Sequence, residues 1–375
     1  MTRPLFLSFL ILLSSVLSAR SAHVWVEAES FSQKGGWNVD QQFTFEMGSP
    51  YLIAHGMGVP VPDASTTVRF PRKGTYHAYV RTYNWTSPWT GKPGPGRFTV
   101  SVGGKRLPNE LGSQGDCWMW QYAGQVEAEE EETVVLHDLT GFDGRCDALW
   151  FTTDKNAVPP ADAEKLALFR GKHDRKTVRT VKYDFVVVGG GIAGICASVS
   201  AARLGTKVAL INDRPIWGGC NSSETRVHLG GHIEMKPYPN LGNMIKEFGP
   251  LRMGNAQPAE FYEDEKKRAF LETEKENLDL YPSYRVYKVD CRKGIIRAVY
   301  ARHIESGEVV KFVSPLYSDC TGDGTVGYLA GADFAMGREG RSEYNEPSAP
   351  ENGDKLTMGA SVQWYSEEGK EPCPF

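Results

Sequence analysis

Tyr183-Asp-Phe-Val-Val-Val188 runs without a gap into Gly189-Gly-Gly-Ile-Ala-Gly194, and an Ala-rich stretch from Ile195 to Leu204 follows. A short β-branched and aromatic run predicts a buried strand, the glycines a tight turn and the alanines a helix. In this G-x-G-x-x-G spacing Gly189 permits the turn, Gly191 lets the backbone approach a pyrophosphate, and Gly194 lets the helix pack closely on the strand. The helix N-terminus then faces the phosphates with unpaired N–H groups. A second strand, Lys207-Val-Ala-Leu-Ile211, arrives where a dinucleotide-binding unit needs it. Asn212 and Asp213 stand at its end, where such units place an acidic ligand for the ribose, so the contact is shared between two candidates. Nothing basic stands at position 212, although Arg214 is close, so a phosphorylated ribose lacks support.

The chain around this unit has 375 residues, more than one hydrophobic core usually holds, which predicts two domains. With 41% hydrophobic and 23% charged residues it has the composition of an ordinary globular protein. Its 42 Lys and Arg against 46 Asp and Glu leave a formal charge of -4, so no global field recruits a nucleic acid or an acidic membrane surface. Composition shifts near residue 155: Trp25, Trp37, Trp85, Trp89, Trp118, Trp120 and Trp150 precede it, and only Trp217 and Trp364 follow. Before the shift come short alternating runs such as Thr75–Thr82, Arg97–Val102 and Thr133–Leu136, punctuated by Gly, Pro and Asp. Period-two patterning of this kind predicts an all-β sandwich over residues 23–153. Val158-Pro-Pro160, a short helical stretch over 161–169 and a basic run from Arg170 to Lys182 predict an exposed linker over 154–182. The expected protein is therefore multidomain, an N-terminal β-sandwich followed by an α/β Rossmann-like domain over 183–375.

Residues 1–22 read as a secretory signal peptide: Arg3 precedes an apolar run from Leu5 to Leu13, and Ser18, Ala19, Ser21 and Ala22 follow. The run is shorter than the roughly 20 residues of a spanning helix, so no integral membrane segment is expected in the mature chain. The expected location is secreted or periplasmic. In such an oxidising compartment Cys117 and Cys146 are the pair expected to be bridged, and no zinc-type cysteine spacing occurs.

Three further segments separate flavin from nicotinamide: Arg214-Pro-Ile-Trp-Gly-Gly219, Cys220-Asn-Ser-Ser-Glu-Thr-Arg226 and Asp319-Cys-Thr-Gly-Asp-Gly324. With these in order, the chain from about Tyr183 onward resembles the FAD-dependent oxidoreductases of the glutathione-reductase-like superfamily. It is most similar to a secreted bacterial family whose second strand runs into a DRP…GG…SSE…R segment and later a TGDG turn. The resemblance implies FAD as the cofactor, with Gly189, Gly191 and Gly194 on its pyrophosphate and Asn212 or Asp213 on the adenosine ribose. It also implies Gly218 and Gly219 near the flavin side, and Gly322 and Asp323 near the phosphate or ribityl chain. Cys220 departs from the pattern, in which asparagine commonly follows the glycine pair. Chains of that family continue well past this length, so the resemblance implies an FAD-binding domain that is partial at its C-terminus.

Residues 24–153 more loosely resemble β-sandwich modules found beside such oxidoreductases and related to carbohydrate-binding modules, from Val26-Glu-Ala-Glu29 to Gly144-Arg-Cys-Asp-Ala-Leu-Trp150. Exposed rings bind sugars by stacking, and Tyr83, Trp85, Trp89, Trp118 and Trp120 could supply a platform or fill a core. Glu27, Glu29 and Asp147 have the oxygen ligands of a calcium site, although nothing in their spacing requires a metal.

With FAD bound, the expected chemistry is hydride transfer from a substrate C–H to the flavin, the protein supplying orientation and a base. Glu224, Arg226, His228 and His232 follow directly on the flavin-proximal glycines and are the candidates for acid–base and anion-positioning roles. The expected function is that of an exported FAD-dependent oxidoreductase acting on a small polar, carbohydrate-derived molecule, with an electron acceptor that no motif specifies. Two other readings use the same residues: a noncatalytic glycan-binding protein with a vestigial nucleotide fold, and an NAD-dependent enzyme.

Overall fold

The computed structural model describes residues 21–173, 178–230, 236–240, 242–249, 254–359 and 368–370. The signal segment over 1–20 and the candidate His232 lie outside the described residues. The chain divides into two compact units, Met1–Asp174 and Arg175–Phe375.

In the first unit two antiparallel sheets enclose one core. The larger has six strands: Asn38–Asp40, Tyr51–His55, Phe142–Thr152, Gly74–Thr82 and Met119–Ala128 in that order, with His23–Glu27 paired to the far half of Phe142–Thr152. The smaller runs Ala64–Arg69, Glu131–Asp138, Phe98–Val102, Lys105–Arg106. Alternation decides which side chains go inward: Tyr76, Ala78 and Val80 are buried while Thr75, His77 and Tyr79 between them are half-buried. They meet Leu52 and Leu149 of the same sheet and Val68, Phe98, Val100 and Val134 of the other.

The stretch expected as a linker is structured on both flanks. Asp162 caps the helix Ala163–His173, its carboxylate accepting from the Lys165 N–H at 2.9 Å. Phe169 of this helix packs edge-on against Trp25 and Trp150, at 5.6 and 5.3 Å between ring centroids. On the other flank Val178–Lys182 is a strand of the second unit, parallel to Val309–Val313. A basic run looked solvated in the sequence because its charges are adjacent. Arg170 is nevertheless 6% exposed, because the helix turns it inward onto acidic partners.

Those partners give the three acids with calcium-type oxygen ligands a different role. Glu27, Glu29 and Asp147 do converge, all buried, but the cation among them is a guanidinium: Arg170 Nη2 lies 3.0 Å from both Asp147 oxygens, and Arg170 Nε lies 2.7 Å from Glu27 Oε1. Arg81 adds a second guanidinium, donating to Asp147 Oδ2 at 2.9 Å. The disulfide expectation is overturned, because Cys117 and Cys146 are both free. Cys146 is wholly buried in the sandwich core, whereas Cys117 is exposed.

The second unit carries a parallel sheet in the order Leu278–Tyr281, Val208–Ile211, Phe185–Val188, Leu316–Asp319. Its two central strands, Val208–Ile211 and Phe185–Val188, are covered on both faces, which is why they read as continuous apolar runs, whereas the edge strand Leu316–Asp319 is exposed at both ends. On one face Val187, Val208 and Leu210 pack against Ile195, Val199 and Ala202 of the helix Ile192–Arg203. On the other, Val186, Val188, Ala209 and Ile211 pack against Val286, Val299, Ala301, Val310 and Phe312 of a second, mainly antiparallel sheet. That sheet is ordered Val178–Lys182, Val309–Val313, Ile295–His303, Tyr284–Arg292. No helix among the described residues is long and apolar enough to cross a membrane.

Candidate functional site

Parallel strands deliver their following turns to one edge of the sheet, so segments more than 100 residues apart meet beyond Val188, Ile211 and Asp319. The turn Gly189–Gly191 is the centre. A Cβ on Gly194 would lie 1.8 Å from the Gly189 carbonyl oxygen, so the close packing of helix on turn needs glycine there. Gly218 donates its N–H to the Gly190 carbonyl at 2.8 Å and bridges to Gly191, and a Cβ on Gly219 would reach within 3.0 Å of Gly191 Cα. The third motif also arrives here, since a Cβ on Gly189 would meet the Cys320 carbonyl at 2.3 Å. Asp319 shapes that turn: Oδ1 accepts from the Thr321 N–H at 3.0 Å, and Oδ2 from the Val326 and Gly327 N–H groups at 2.8 and 3.0 Å. Gly322 and Asp323 lie exposed at its tip.

The arrangement fits a dinucleotide. Helix Ile192–Arg203 begins at Gly191 with no side-chain cap, so its first N–H groups are available to an anion. The space a side chain would fill at Gly191 is open, its nearest neighbour being Gly219 Cα at 3.9 Å. Beside the glycine pair, Asn221 is 2% exposed and its Oδ1 has no partner, a buried acceptor of the kind a bound group satisfies.

Other candidates have definite partners. Asn212 is buried and its amide ties loops together, Oδ1 accepting from the Gly190 N–H at 3.1 Å while Nδ2 donates to the carbonyls of Arg214 and Ile216, each at 2.9 Å. Both amide protons are thus engaged within the protein, whereas Asp213 is exposed. Glu224 accepts both arms of Arg214 at 3.0 Å each, a bidentate pair that keeps its carboxylate occupied. Arg226 adopts φ 61°, and its Nε donates to the Ser223 carbonyl at 2.9 Å, so it braces its own loop. His228 is half-buried beside Asn255, whose Oδ1 lies 2.6 Å from His228 Nδ1. Cys220 is exposed, and its carbonyl accepts from the Val227 N–H at 3.0 Å.

Sequence reasoning did not single out the residues that brace this loop from behind. Lys267 is fully buried, donates to the Tyr262 carbonyl and lies 3.6 Å from Asp264 Oδ1; burial pulls its ammonium below the usual lysine range. The Asp264 oxygens accept from the Ser223 N–H at 3.2 Å, and the Tyr262 hydroxyl donates to the Arg226 carbonyl at 2.6 Å. These groups lie some forty positions along the chain, and no local signal marked them.

In the first unit Tyr83, Trp118 and Trp120 are engaged with neighbours: Tyr83 stacks on Trp118 at 5.6 Å, Trp118 meets Tyr51 at 5.0 Å, and Trp120 donates to the Pro160 carbonyl at 3.0 Å. Trp89 differs, being 77% exposed and edge-on to Trp85 at 6.1 Å.

Residues 184–370 match a family model described as FAD dependent oxidoreductase. The aerobic glycerol-3-phosphate dehydrogenase of Staphylococcus aureus is 34% identical over 73 residues, covering 20% of this chain. The match spans 13% of that curated relative's length. Among solved structures, a geranylgeranyl bacteriochlorophyll reductase-like protein from Thermoplasma acidophilum aligns at 19% identity and TM-score 0.32, over 42% of this chain and 45% of its own. A family 35 carbohydrate binding module from Clostridium thermocellum aligns at 16% identity and TM-score 0.28, over 34% of this chain and 96% of its own.

Proposed function

We propose that this chain, whose residues 184–370 are an FAD-dependent oxidoreductase domain with FAD as its cofactor, is an exported enzyme that oxidises a small polar, carbohydrate-derived molecule. The observation that carries the reading is the meeting of three separate segments at one uncapped helix N-terminus, with an open space at Gly191. Gly189, Gly191 and Gly194 with that N-terminus would hold the pyrophosphate, Asp213 the ribose, Gly218 and Gly219 the flavin side, and Gly322 and Asp323 the ribityl chain. FAD, when bound, supplies the two-electron acceptor for a hydride. The protein's own part is to orient the substrate and take up a proton, and His228, with Nδ1 2.6 Å from Asn255 Oδ1, offers its other ring nitrogen for that proton.

Export rests on the Arg3 and Leu5–Leu13 pattern, and the carbohydrate character of the substrate on the exposed Trp89 ring with Trp85 beside it. The test is a visible spectrum of the purified protein, release of FAD on denaturation, and anaerobic bleaching by a panel of sugars, sugar acids and polyols. A folded chain that neither carries nor takes up FAD overturns the oxidoreductase reading, and glycan binding by that same flavin-free chain would establish the noncatalytic one.

A further inference from the structure

We infer that Asn255 is a positioning residue for the oxidation, holding His228 in the tautomer whose Nε2 carries the lone pair and so making that nitrogen the acceptor of the substrate's hydroxyl proton. The catalytic half of this inference rests on the function proposed above; the tautomer does not.

Two short contacts decide the tautomer. The Asn255 side-chain atom that lies 3.0 Å from the backbone nitrogen of His228 also lies 2.6 Å from ring Nδ1. The two ends of an asparagine amide have the same shape, so position alone does not say which is oxygen. A backbone N–H can only donate, however, and the atom facing it must therefore be Oδ1. An amide oxygen brings no proton, so the hydrogen in the 2.6 Å contact belongs to Nδ1. Nε2 of the neutral ring is left as an acceptor. A free histidine side chain prefers its proton on Nε2, so the fold inverts the intrinsic preference.

The surroundings hold both partners in place. Ala256, next to Asn255, has φ 54°, and Arg226, two residues before His228, has φ 61°; neither is glycine, and such conformations persist where neighbours over-determine them. Here the Ala256 N–H donates to the Arg226 carbonyl at 3.0 Å, and the Tyr262 hydroxyl donates to that same carbonyl. On the other side Val227 is fixed to the turn after the glycine pair, its N–H donating to the Cys220 carbonyl and its carbonyl accepting from Asn221 Nδ2 at 2.9 Å. His228 is thus rigidly joined to the segment that begins at Gly218 and Gly219. Gly230 beside Nε2 presents no side chain to it.

For an alcohol substrate, FAD when bound would supply the acceptor for the C–H hydrogen leaving with its electron pair as hydride, while the O–H proton would pass to His228 Nε2 and the remaining electron pair would close the C=O double bond. Nδ1–H stays on Asn255 throughout, so the ring gains a proton at one nitrogen without losing one at the other.

The test uses the full-length, flavin-loaded chain with histidine labelled by ¹⁵N, His228 being assigned from the signals lost in His228→Gln. At a pH where the ring is neutral, the expected spectrum has a protonated Nδ1 and an unprotonated Nε2. Asn255→Asp keeps an acceptor and should preserve that pattern, whereas Asn255→Leu should return His228 to the Nε2–H form with FAD content unchanged. In the same variant the rate of anaerobic flavin reduction by the sugar, sugar acid or polyol that bleaches the wild type should fall on the order of 10²-fold, with partial recovery in Asn255→Asp. A wild-type ring carrying its proton on Nε2 overturns the inference without any variant having to fold, and undiminished flavin reduction in Asn255→Leu overturns its catalytic half. Absence of FAD from the purified chain would instead overturn the oxidoreductase reading, and the tautomer would still be decided by the spectrum.

Discussion

Arg170 and Asp147 face each other in the interior of the sandwich with one guanidinium nitrogen 3.0 Å from both carboxylate oxygens. This is where the helix Ala163–His173 is fastened to the strands, and it places two guanidinium groups, Arg81 and Arg170, among three buried acids. Two of those acids can be ionised without net charge. Burial, with the carboxylates of Glu27 and Asp147 close by, pushes the third, Glu29, well above the usual carboxylate range.

Arg170→Ala should therefore destabilise the first unit by about 3 to 5 kcal/mol, because it strips a buried carboxylate of its partner. Leu168→Ala on the same helix removes a side chain that is 64% exposed and should change stability by less than about 0.5 kcal/mol. Denaturant unfolding of the two variants checks the contrast, and equal midpoints would mean that the helix is not fastened through its guanidinium.

The raised Glu29 carboxyl makes stability depend on pH. Its folded form holds a proton that the unfolded chain gives up, so its contribution is complete below the unfolded value of roughly 4.5 and is lost as pH rises from there toward the folded value. Glu29→Gln, neutral at every pH, should match the wild type near pH 4 and exceed it increasingly toward neutrality. Thermal unfolding from pH 4 to 8 measures the difference, and a gap that narrows with rising pH would show that Glu29 is ionised in the fold.

Gly191 and Gly194 should fail in different ways. A methyl group at Gly191 finds open space and should leave the melting temperature of the second unit unchanged while abolishing stoichiometric FAD, because it occupies the place of the pyrophosphate. At Gly194 the same methyl would lie 1.8 Å from a carbonyl oxygen and should cost both folding and FAD. Cofactor content and thermal unfolding of the two alanine variants separate binding from packing.

Asn212 and Asp213 should divide in the same manner. Asn212→Ala removes three hydrogen bonds that join the first glycine turn to the Arg214–Ile216 loop, at a cost of roughly 1 to 3 kcal/mol. Asp213→Ala should raise the FAD dissociation constant about tenfold, the loss of one hydrogen bond to a charged group. Unchanged FAD affinity in Asp213→Ala would move the ribose contact elsewhere.

The sequence by itself determined the elements that depend on neighbours along the chain. Tyr183–Gly194 specifies strand and turn through side-chain shape and backbone freedom, and the alternation in Thr75–Thr82 specifies which side chains enter the sandwich. That the three glycine-bearing segments share one site was implied by the resemblance, and the parallel strands, which release their turns at one edge, supply the physical reason. What only the tertiary structure decided is where charge is compensated. A basic run beginning at Arg170 looks solvated until a helix turns one of its members onto acids that precede it by 23 and more residues. Asn212 has the right place for a ribose ligand, yet its amide is consumed by two loop carbonyls. Cys117 and Cys146 look like a pair by count and compartment, but one thiol points into the core while the other is exposed. Hydrogen bonds and ion pairs between distant segments are short-ranged in space and indifferent to separation along the chain, so nothing in local pattern foretold that Asn255 would stand against His228.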